Sequence, residues 1–241
     1  MILSNKHIIL TNYGSTDSFN ILTKFGATLY HFPMIEIAEK FDKKPFNLSD
    51  FDYYIFTSKN GVNSFFNLDF VKEKKINTFC LGEKTKIALL ENGVEPIFVS
   101  NESYSENLIT ELLDNQMVVN KRVLLVLGNL ADNRIQKALS SICNVNRLDV
   151  YNTTLVTKKK ENITNLLENK STISIFTSPS SFQAFNNLYD LKKTNLVSIG
   201  TTTSEAIKSS GYVPKITSDE QTYYGISKAI INYYETKNII T

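Results

Sequence analysis

The 241-residue chain has no tryptophan, two cysteines, two histidines, five prolines and nine glycines. Each shortage removes a class of chemistry. Cys80 and Cys143 lie far apart, each inside or beside an apolar, strand-like run. They have neither metal-ligand nor redox spacing, and both read as buried, reduced thiols of a cytoplasmic protein. His7 and His31 sit in or beside predicted strands with no carboxylate or cysteine at ligand spacing, so no metal site is expected. A Gly-x-Ser-x-Gly elbow, a phosphate-loop lysine motif and a dinucleotide fingerprint are all missing. No apolar run approaches the length that crosses a bilayer and no signal peptide precedes the first strand, so neither a membrane nor secretion is expected. The sequons at Asn152 and Asn162 are then incidental to an asparagine-rich chain. With 26 basic against 24 acidic residues there is no general polyanion-binding surface, and nucleic acid is not an expected partner.

What the chain does have is an internal repeat. Ile55-Phe56-Thr57-Ser58-Lys59-Asn60 returns as Ile175-Phe176-Thr177-Ser178-Pro179-Ser180. Phe79-Cys80-Leu81-Gly82-Glu83-Lys84-Thr85 returns as Val197-Ser198-Ile199-Gly200-Thr201-Thr202-Thr203, and from there Gly93, Pro96 and Ser100-Asn101-Glu102 answer Gly211, Pro214 and Ser218-Asp219-Glu220 at one constant offset. Each copy reads as a buried strand, a turn of small hydroxyl residues and a helix. At 42% hydrophobic residues, each half can build its own core.

Short apolar runs alternate with helical periods throughout, the pattern of βα units on a parallel sheet. Residues 7–10 read as the first strand, 15–25 as a helix and 28–37 as one long strand. Strands follow at 53–57, 77–81 and 96–99, with helices at 60–72, 84–92 and 104–116. The second half gives strands at 122–127, 145–156, 172–176, 195–199 and 213–216, and helices at 131–141, 180–189, 202–210 and 222–235. The long strands 28–37 and 145–156 are each followed by a polar, Lys-rich stretch, at 39–50 and 157–171. Such strands can pair as a two-stranded connector, with the chain crossing twice between domains. One domain then combines residues 1–36 with 156–241, the other is 38–148, and the connectors lie near 33–40 and 149–157. A plain tandem division near residue 119 satisfies the same periodicity.

Four strand-to-helix turns stand out: Thr57, Ser58, Lys59 and Asn60; Gly82 to Thr85; Thr177, Ser178 and Ser180; and Gly200, Thr202 and Thr203. A helix N-terminus leaves amides unsatisfied and attracts carboxylate or phosphate. Ser and Thr also cap helices for their own sake. Four related turns at the carboxyl edge of parallel strands, where ligands bind in such folds, favour the functional reading. Gly128 and Asn129 follow a strand and are a further candidate anion cradle. Tyr151, on the second long strand and without a counterpart in the first copy, is a candidate acid; a tyrosine packed at a domain junction is the alternative. Arg134 and Arg147 read as solvated helix or turn residues. Anion-binding turns without a nucleophile suit a reaction of positioning and charge stabilisation.

Thr57-Ser58 before a helix, Gly82-x-x-Thr85, Val150-Tyr151-x-Thr153, Thr177-Ser178-Pro179-Ser180 and Ile199-Gly200-x-Thr202-Thr203, with the early Pro33-Met34-Ile35-Glu36-Ile37, resemble the uroporphyrinogen-III synthase family. Order and spacing match over nearly the whole chain. The resemblance implies an α/β protein of two flavodoxin-like parallel-sheet domains, joined by a two-stranded β connector with the active site in a cleft between them. It implies cyclisation of hydroxymethylbilane, a linear tetrapyrrole polycarboxylate, to uroporphyrinogen III with inversion of the last ring, in a cytoplasmic monomer in transient contact with the preceding enzyme. No cofactor is implied. Tyr151 matches a family tyrosine that assists hydroxyl departure, and Thr202 a threonine facing the cleft. Asn60 stands where family members often carry a basic residue, with Lys59 one place earlier, and Thr201 replaces the usual proline after Gly200. Two rivals remain: a non-catalytic two-domain tetrapyrrole or small-anion sensor, and a nucleotide-dependent transferase, which the missing phosphate-loop glycines disfavour.

Overall fold

The computed structural model describes residues 1–40, 47–68, 71, 75–100 and 105–240. The first strand, β1 (His7–Leu10), leads through a 3-10 turn at Asp17–Phe19 and a one-turn helix α1 (Ile21–Lys24) to β2 (Thr28–His31) and β3 (Ile35–Glu39). A repeated βα section follows: β4 (Tyr53–Phe56), α2 (Lys59–Phe66), β5 (Thr78–Leu81), α3 (Glu83–Glu91), β6 (Phe98–Ser100) and α4 (Ser105–Asp114). Next come β7 (Arg122–Gly128), α5 (Arg134–Leu139), β8 (Asn144–Leu155) and α6 (Glu161–Leu167). The chain ends with β9 (Thr172–Phe176), α7 (Pro179–Asn186), β10 (Asn195–Ser198), α8 (Thr201–Ser209), β11 (Ile216–Thr217) and α9 (Tyr223–Ile240).

Contacts divide the chain into a split unit, Met1–Glu36 with Thr154–Thr241, and a continuous unit, Ile37–Thr153. In the split unit the sheet runs β2-β1-β9-β10-β11, all parallel. That is the doubly wound 2-1-3-4-5 order of flavodoxin-like folds. The continuous unit carries β3-β8-β7-β4-β5-β6, parallel from β8 to β6. Counted from β7, its last five strands give the same order, cyclically permuted. The β1-β2 and β7-β8 pairs are therefore equivalent, as are the β4-β5-β6 and β9-β10-β11 triplets.

Parallel strands buried on both faces need apolar side chains at every position, which is why these runs do not alternate. Tyr54 and Phe56 pack with Val62 and Phe65 of α2 and Leu89 of α3, while Ile55 faces Leu108 and Leu112 of α4. In the split unit Phe176 meets Phe182 and Phe185 of α7, and Ile175 meets Ile226 and Ile230 of α9. The repeat survives in three dimensions: residues 54–67 and 174–187 have the same burial class position by position.

Several expectations need correction. The single strand 28–37 is two strands, because Pro33 has no N–H to donate and the sheet cannot continue through it. The helix expected at 15–25 is only the 3-10 turn and α1, and 131–141 shrinks to α5. Residues 157–171, read as a polar stretch, contain α6, whose Ile163 and Leu167 lie one turn apart and are buried. Parts of the helices expected at 60–72 and 104–116 lie outside the described residues.

Three buried groups make stability depend on alkali. Burial raises the Tyr54 phenol to about 12, with Asp50 adding to it, the Tyr234 phenol to about 12, with Tyr233 adding, and the Cys80 thiol to about 12, with Glu83 adding. A folded pKa above the unfolded one means the fold favours the neutral group. That stabilisation is complete below the ordinary values of 10.0 for tyrosine and 9.0 for cysteine and is lost as pH rises through about 12. The melting temperature is expected to fall progressively above pH 10, with Tyr54 and Tyr234 ionising, by ultraviolet absorbance, only as the protein unfolds.

Candidate active site

The chain leaves β4 towards β5 and leaves β7 towards β8, on opposite sides, although β4 and β7 are neighbours. The crevice outside their carboxyl ends is the topological switch point, where open α/β sheets bind ligands. Ser58, two residues beyond β4, caps α2, its Oγ accepting the Gly61 N–H at 3.0 Å. The same Oγ lies 3.2 Å from the Tyr151 hydroxyl, which arrives from β8. Either hydroxyl can be the donor in that bond.

Tyr151 reaches this position through an irregularity in β8. Asp149 pairs with Leu127, but Gly128 pairs with Tyr151, so Val150 is an extra residue. In an unbroken strand Tyr151 would share the face of Arg147 and Asp149. The bulge turns it onto the face of Leu148 and Val150, towards α2. Two glycines make room. A Cβ on Gly128 would lie 2.3 Å from Tyr151 Cζ, and one on Gly61 would lie 4.0 Å from its Cε1 and 3.3 Å from Val126 O. Arg147 locks the bulge from behind: it pairs with Asp149 at 2.8 Å and donates to Asn133 Oδ1 at 2.7 Å and Gly128 O at 3.1 Å. Its side chain is 18% exposed, so the expectation of a solvated Arg147 is corrected. Arg134 is exposed, paired with Asp132 and Glu106.

Burial pushes the Tyr151 phenol above its ordinary pKa; Ser58 opposes this and Asp149 adds to it. The group is a neutral phenol at neutral pH, able to donate a proton or a hydrogen bond.

The adjacent turn belongs to α3. Gly82 caps it at φ 76, ψ 160, a conformation open essentially to glycine alone. Because β4 and β5 are neighbours, the N-termini of α2 and α3 lie side by side. Lys59 and Lys84 stand there, both exposed. Desolvation, then repulsion from Lys59, lowers the Lys84 pKa. Thr57 and Asn60 are half-buried on the same rim. Thr85 is 2% exposed, so its hydroxyl faces the interior. Asn129 does not form the expected cradle with Gly128. Its N–H donates to Tyr151 O, and its side-chain amide bonds both Thr153 N (2.7 Å) and Thr153 O (3.3 Å), imitating one more strand residue.

In the split unit, Ser178 caps α7 by accepting the Ser181 N–H at 3.1 Å, and its Oγ lies 3.1 Å from Ser180 Oγ. Pro179 occupies the first helical position, where no N–H is needed. Thr177 is half-buried beside it. Gly200 caps α8, with Thr202 exposed in the first turn and Thr203 buried at 3% exposure. Among the described residues no cluster of His, Cys, Asp or Glu could hold a metal, and no helix is long and apolar enough to cross a membrane.

A family model described as uroporphyrinogen-III synthase HemD matches residues 20–227, a span containing both sets of turns and Tyr151. The chain belongs to the uroporphyrinogen-III synthase family. A Methanocaldococcus jannaschii protein named as a candidate uroporphyrinogen-III synthase is 28% identical over 213 residues, 82% of this chain and 85% of its own. The uroporphyrinogen-III synthetase of Helicobacter pylori 26695 superposes with a TM-score of 0.69 at 19% identity, covering 95% of this chain and 99% of that one. A mutant uroporphyrinogen III synthase from the extremely thermophilic bacterium Thermus thermophilus gives 0.66 at 16% identity, covering 96% and 99%. These two likenesses speak to the fold: α/β with two parallel-sheet domains.

Sequence reading missed Gly61, Lys84 and Arg147. A glycine in the first turns of a helix costs about 1 kcal/mol relative to alanine, which signals a close approach. The repeat sharpens that signal, since Ser181 stands at the equivalent place. Nothing in the sequence marks Arg147, whose partners depend on the bulge. Gly128→Ala is expected to lower unfolding stability in urea by about 1–3 kcal/mol, because the new methyl must displace the Tyr151 ring. Tyr151→Phe, which keeps the ring, is expected to cost no more than about 1.5 kcal/mol in the same measurement.

Proposed function

We propose that this chain is a uroporphyrinogen-III synthase, a hydro-lyase that closes hydroxymethylbilane into uroporphyrinogen III with release of water. Family membership gives the reaction class, and one observation carries the assignment to residues. It is the neutral Tyr151 phenol, held by Ser58 at 3.2 Å at a topological switch point.

In this reading Tyr151 protonates the departing hydroxyl of the terminal hydroxymethyl group. The carbon–oxygen bond breaks, water leaves, and the pyrrole nitrogen lone pair fills the vacancy to give an azafulvene. The substituted carbon of the far ring attacks it, forming a spiro intermediate. Cleavage of that ring's original methylene bond and reclosure through its other α-carbon inverts the ring. The proton lost on rearomatisation balances the one Tyr151 gave. No cofactor is required.

The substrate carries acetate and propionate arms on every ring, so it needs several anion contacts rather than one strong cation. Thr57, Ser58, Lys59, Asn60 and Gly82 supply them in the continuous unit, and Thr177, Ser178, Ser180, Gly200 and Thr202 in the split unit. Two helix N-termini beside Lys59 and Lys84 favour carboxylates. Gly128 seats the catalytic ring, and Thr85 and Thr203 support their turns from inside.

Purified protein supplied with freshly generated hydroxymethylbilane is expected to yield the type III isomer on chromatographic separation. Exclusive type I product, which forms spontaneously, would overturn the assignment. Tyr151→Phe is expected to lower kcat by about 10²–10⁴-fold with little change in KM, since a proton donor acts in the transition state. Equal loss in both parameters, with an altered circular dichroism spectrum, would make the tyrosine a packing residue.

A further inference from the structure

The loop that joins β7 to α5 is gathered around one side chain from another strand. Arg147 reaches it from β8, on the face whose Val145 joins the cluster of Ile135 and Leu139 of α5. Its Nη1 donates to Asn133 Oδ1 at 2.7 Å and to Asp132 O at 3.4 Å, and its Nη2 donates to Gly128 O at 3.1 Å. Its Nε donates to Asp149 Oδ1, two residues further along β8, at 2.8 Å. One guanidinium therefore joins the start of the loop, the end of the loop and the strand that carries Tyr151.

A single residue connects this fork to the phenol. Gly128 offers its carbonyl to Arg147 and to the Ala131 N–H at 3.0 Å, and it is also the seat of the Tyr151 ring, so close that a Cβ would lie 2.3 Å from Cζ. Gly128 is the ladder partner of Tyr151 across the bulge, and the next amide, Asn129 N–H, donates to Tyr151 O at 3.1 Å. Glycine has no side chain with which to wedge its own peptide in place, and a bulge disrupts the ladder locally. The restraint has to come from elsewhere, and the guanidinium supplies it. Its planar fork presents donors in fixed directions to several acceptors at once, which the point charge of a lysine ammonium on its flexible stem does not. Arg147 therefore fixes Gly128 relative to β8, and with it the floor beneath the ring.

We propose that Arg147 is a positioning residue for the reaction: by holding Gly128, Asn133 and Asp149 in one fork, it keeps the Tyr151 hydroxyl where it meets the departing hydroxyl of the substrate. This rests on the synthase reading above. Arg147 belongs to the opposite face of the sheet and acts only through the backbone of Gly128 and β8. What it contributes is distance and angle, and in a positioned reacting group an error of about 1 Å costs about 10²-fold in rate.

The test is Arg147→Lys, which keeps the charge beside Asp149 and loses the fork, made alone and together with Tyr151→Phe. Alone, it is expected to lower kcat with hydroxymethylbilane by about 10–100-fold with KM near wild type. In the Tyr151→Phe chain the same substitution is expected to change kcat by less than about two-fold, because the hydroxyl it positions is already gone. An equal loss in both backgrounds, which a merely structural role would give, overturns the proposal, as does an unchanged kcat in Arg147→Lys alone. The ring is read separately by NMR of protein carrying tyrosine labelled at Cζ, the Tyr151 signal being the one missing from Tyr151→Phe. Burial is the largest cause of the raised Tyr151 pKa, so a phenol loosened from its seat is expected to ionise at lower pH in Arg147→Lys than in wild type. An unchanged titration overturns the proposal. If Arg147→Lys does not fold, Asn133→Ala, which removes one acceptor of the fork from an exposed residue, takes its place under the same criteria, with a kcat loss of about three-fold or more. If the wild-type protein makes no type III isomer, the synthase reading fails by itself; the seating of Tyr151 by Arg147 then stands if the titration shifts and falls if it does not.

Discussion

Val150 is the extra residue between the Asp149 and Tyr151 pairings with β7, and the candidate site depends on it. A regular β8 would carry Tyr151 to the α4–α5 face, away from Ser58. The displaced register instead sets the ring over two glycines, beside the capped start of α2. Arg147 and Asn129 belong to the same arrangement. One ties the bulge to the carbonyl of Gly128, the other carries the ladder past it. A site built this way is stiff, because the tyrosine's position is a property of strand pairing rather than of a loop. Stiffness suits the proton-donor role proposed for Tyr151, which needs one distance and angle.

The units apply one layout twice with different residues. Each follows a central strand with a Thr-Ser turn and caps a helix with the serine. In the continuous unit the serine also meets a tyrosine hydroxyl; in the split unit it meets Ser180.

Much of the frame was legible in the sequence because it is local. Ile55-Phe56 and Ile175-Phe176 announce strands buried on both faces, and Ser58 and Ser178 announce caps. The family resemblance pointed to Tyr151, but its route into the site was not legible, since the bulge exists only once β8 lies against β7. Arg147 was misread for the same reason: its acceptors come from other turns. Pro33 was visible yet overlooked, although a residue without an N–H was sufficient ground to divide the strand.

The division into a split and a continuous unit bears on how the chain closes its sheets. During synthesis β1 and β2 emerge first, but β9, which completes their sheet, follows only after the whole of the continuous unit. Closing so long a loop from an unstructured chain would carry a large entropic cost. A folded insert removes most of it, because β3 and β8 are neighbours, with Lys40 N bonded to Val150 O and Val156 N to Met34 O, so the insert delivers its two ends side by side. The internal unit acts as a clasp: once it has formed, the loop left to close between the N-terminal strands and β9 is short.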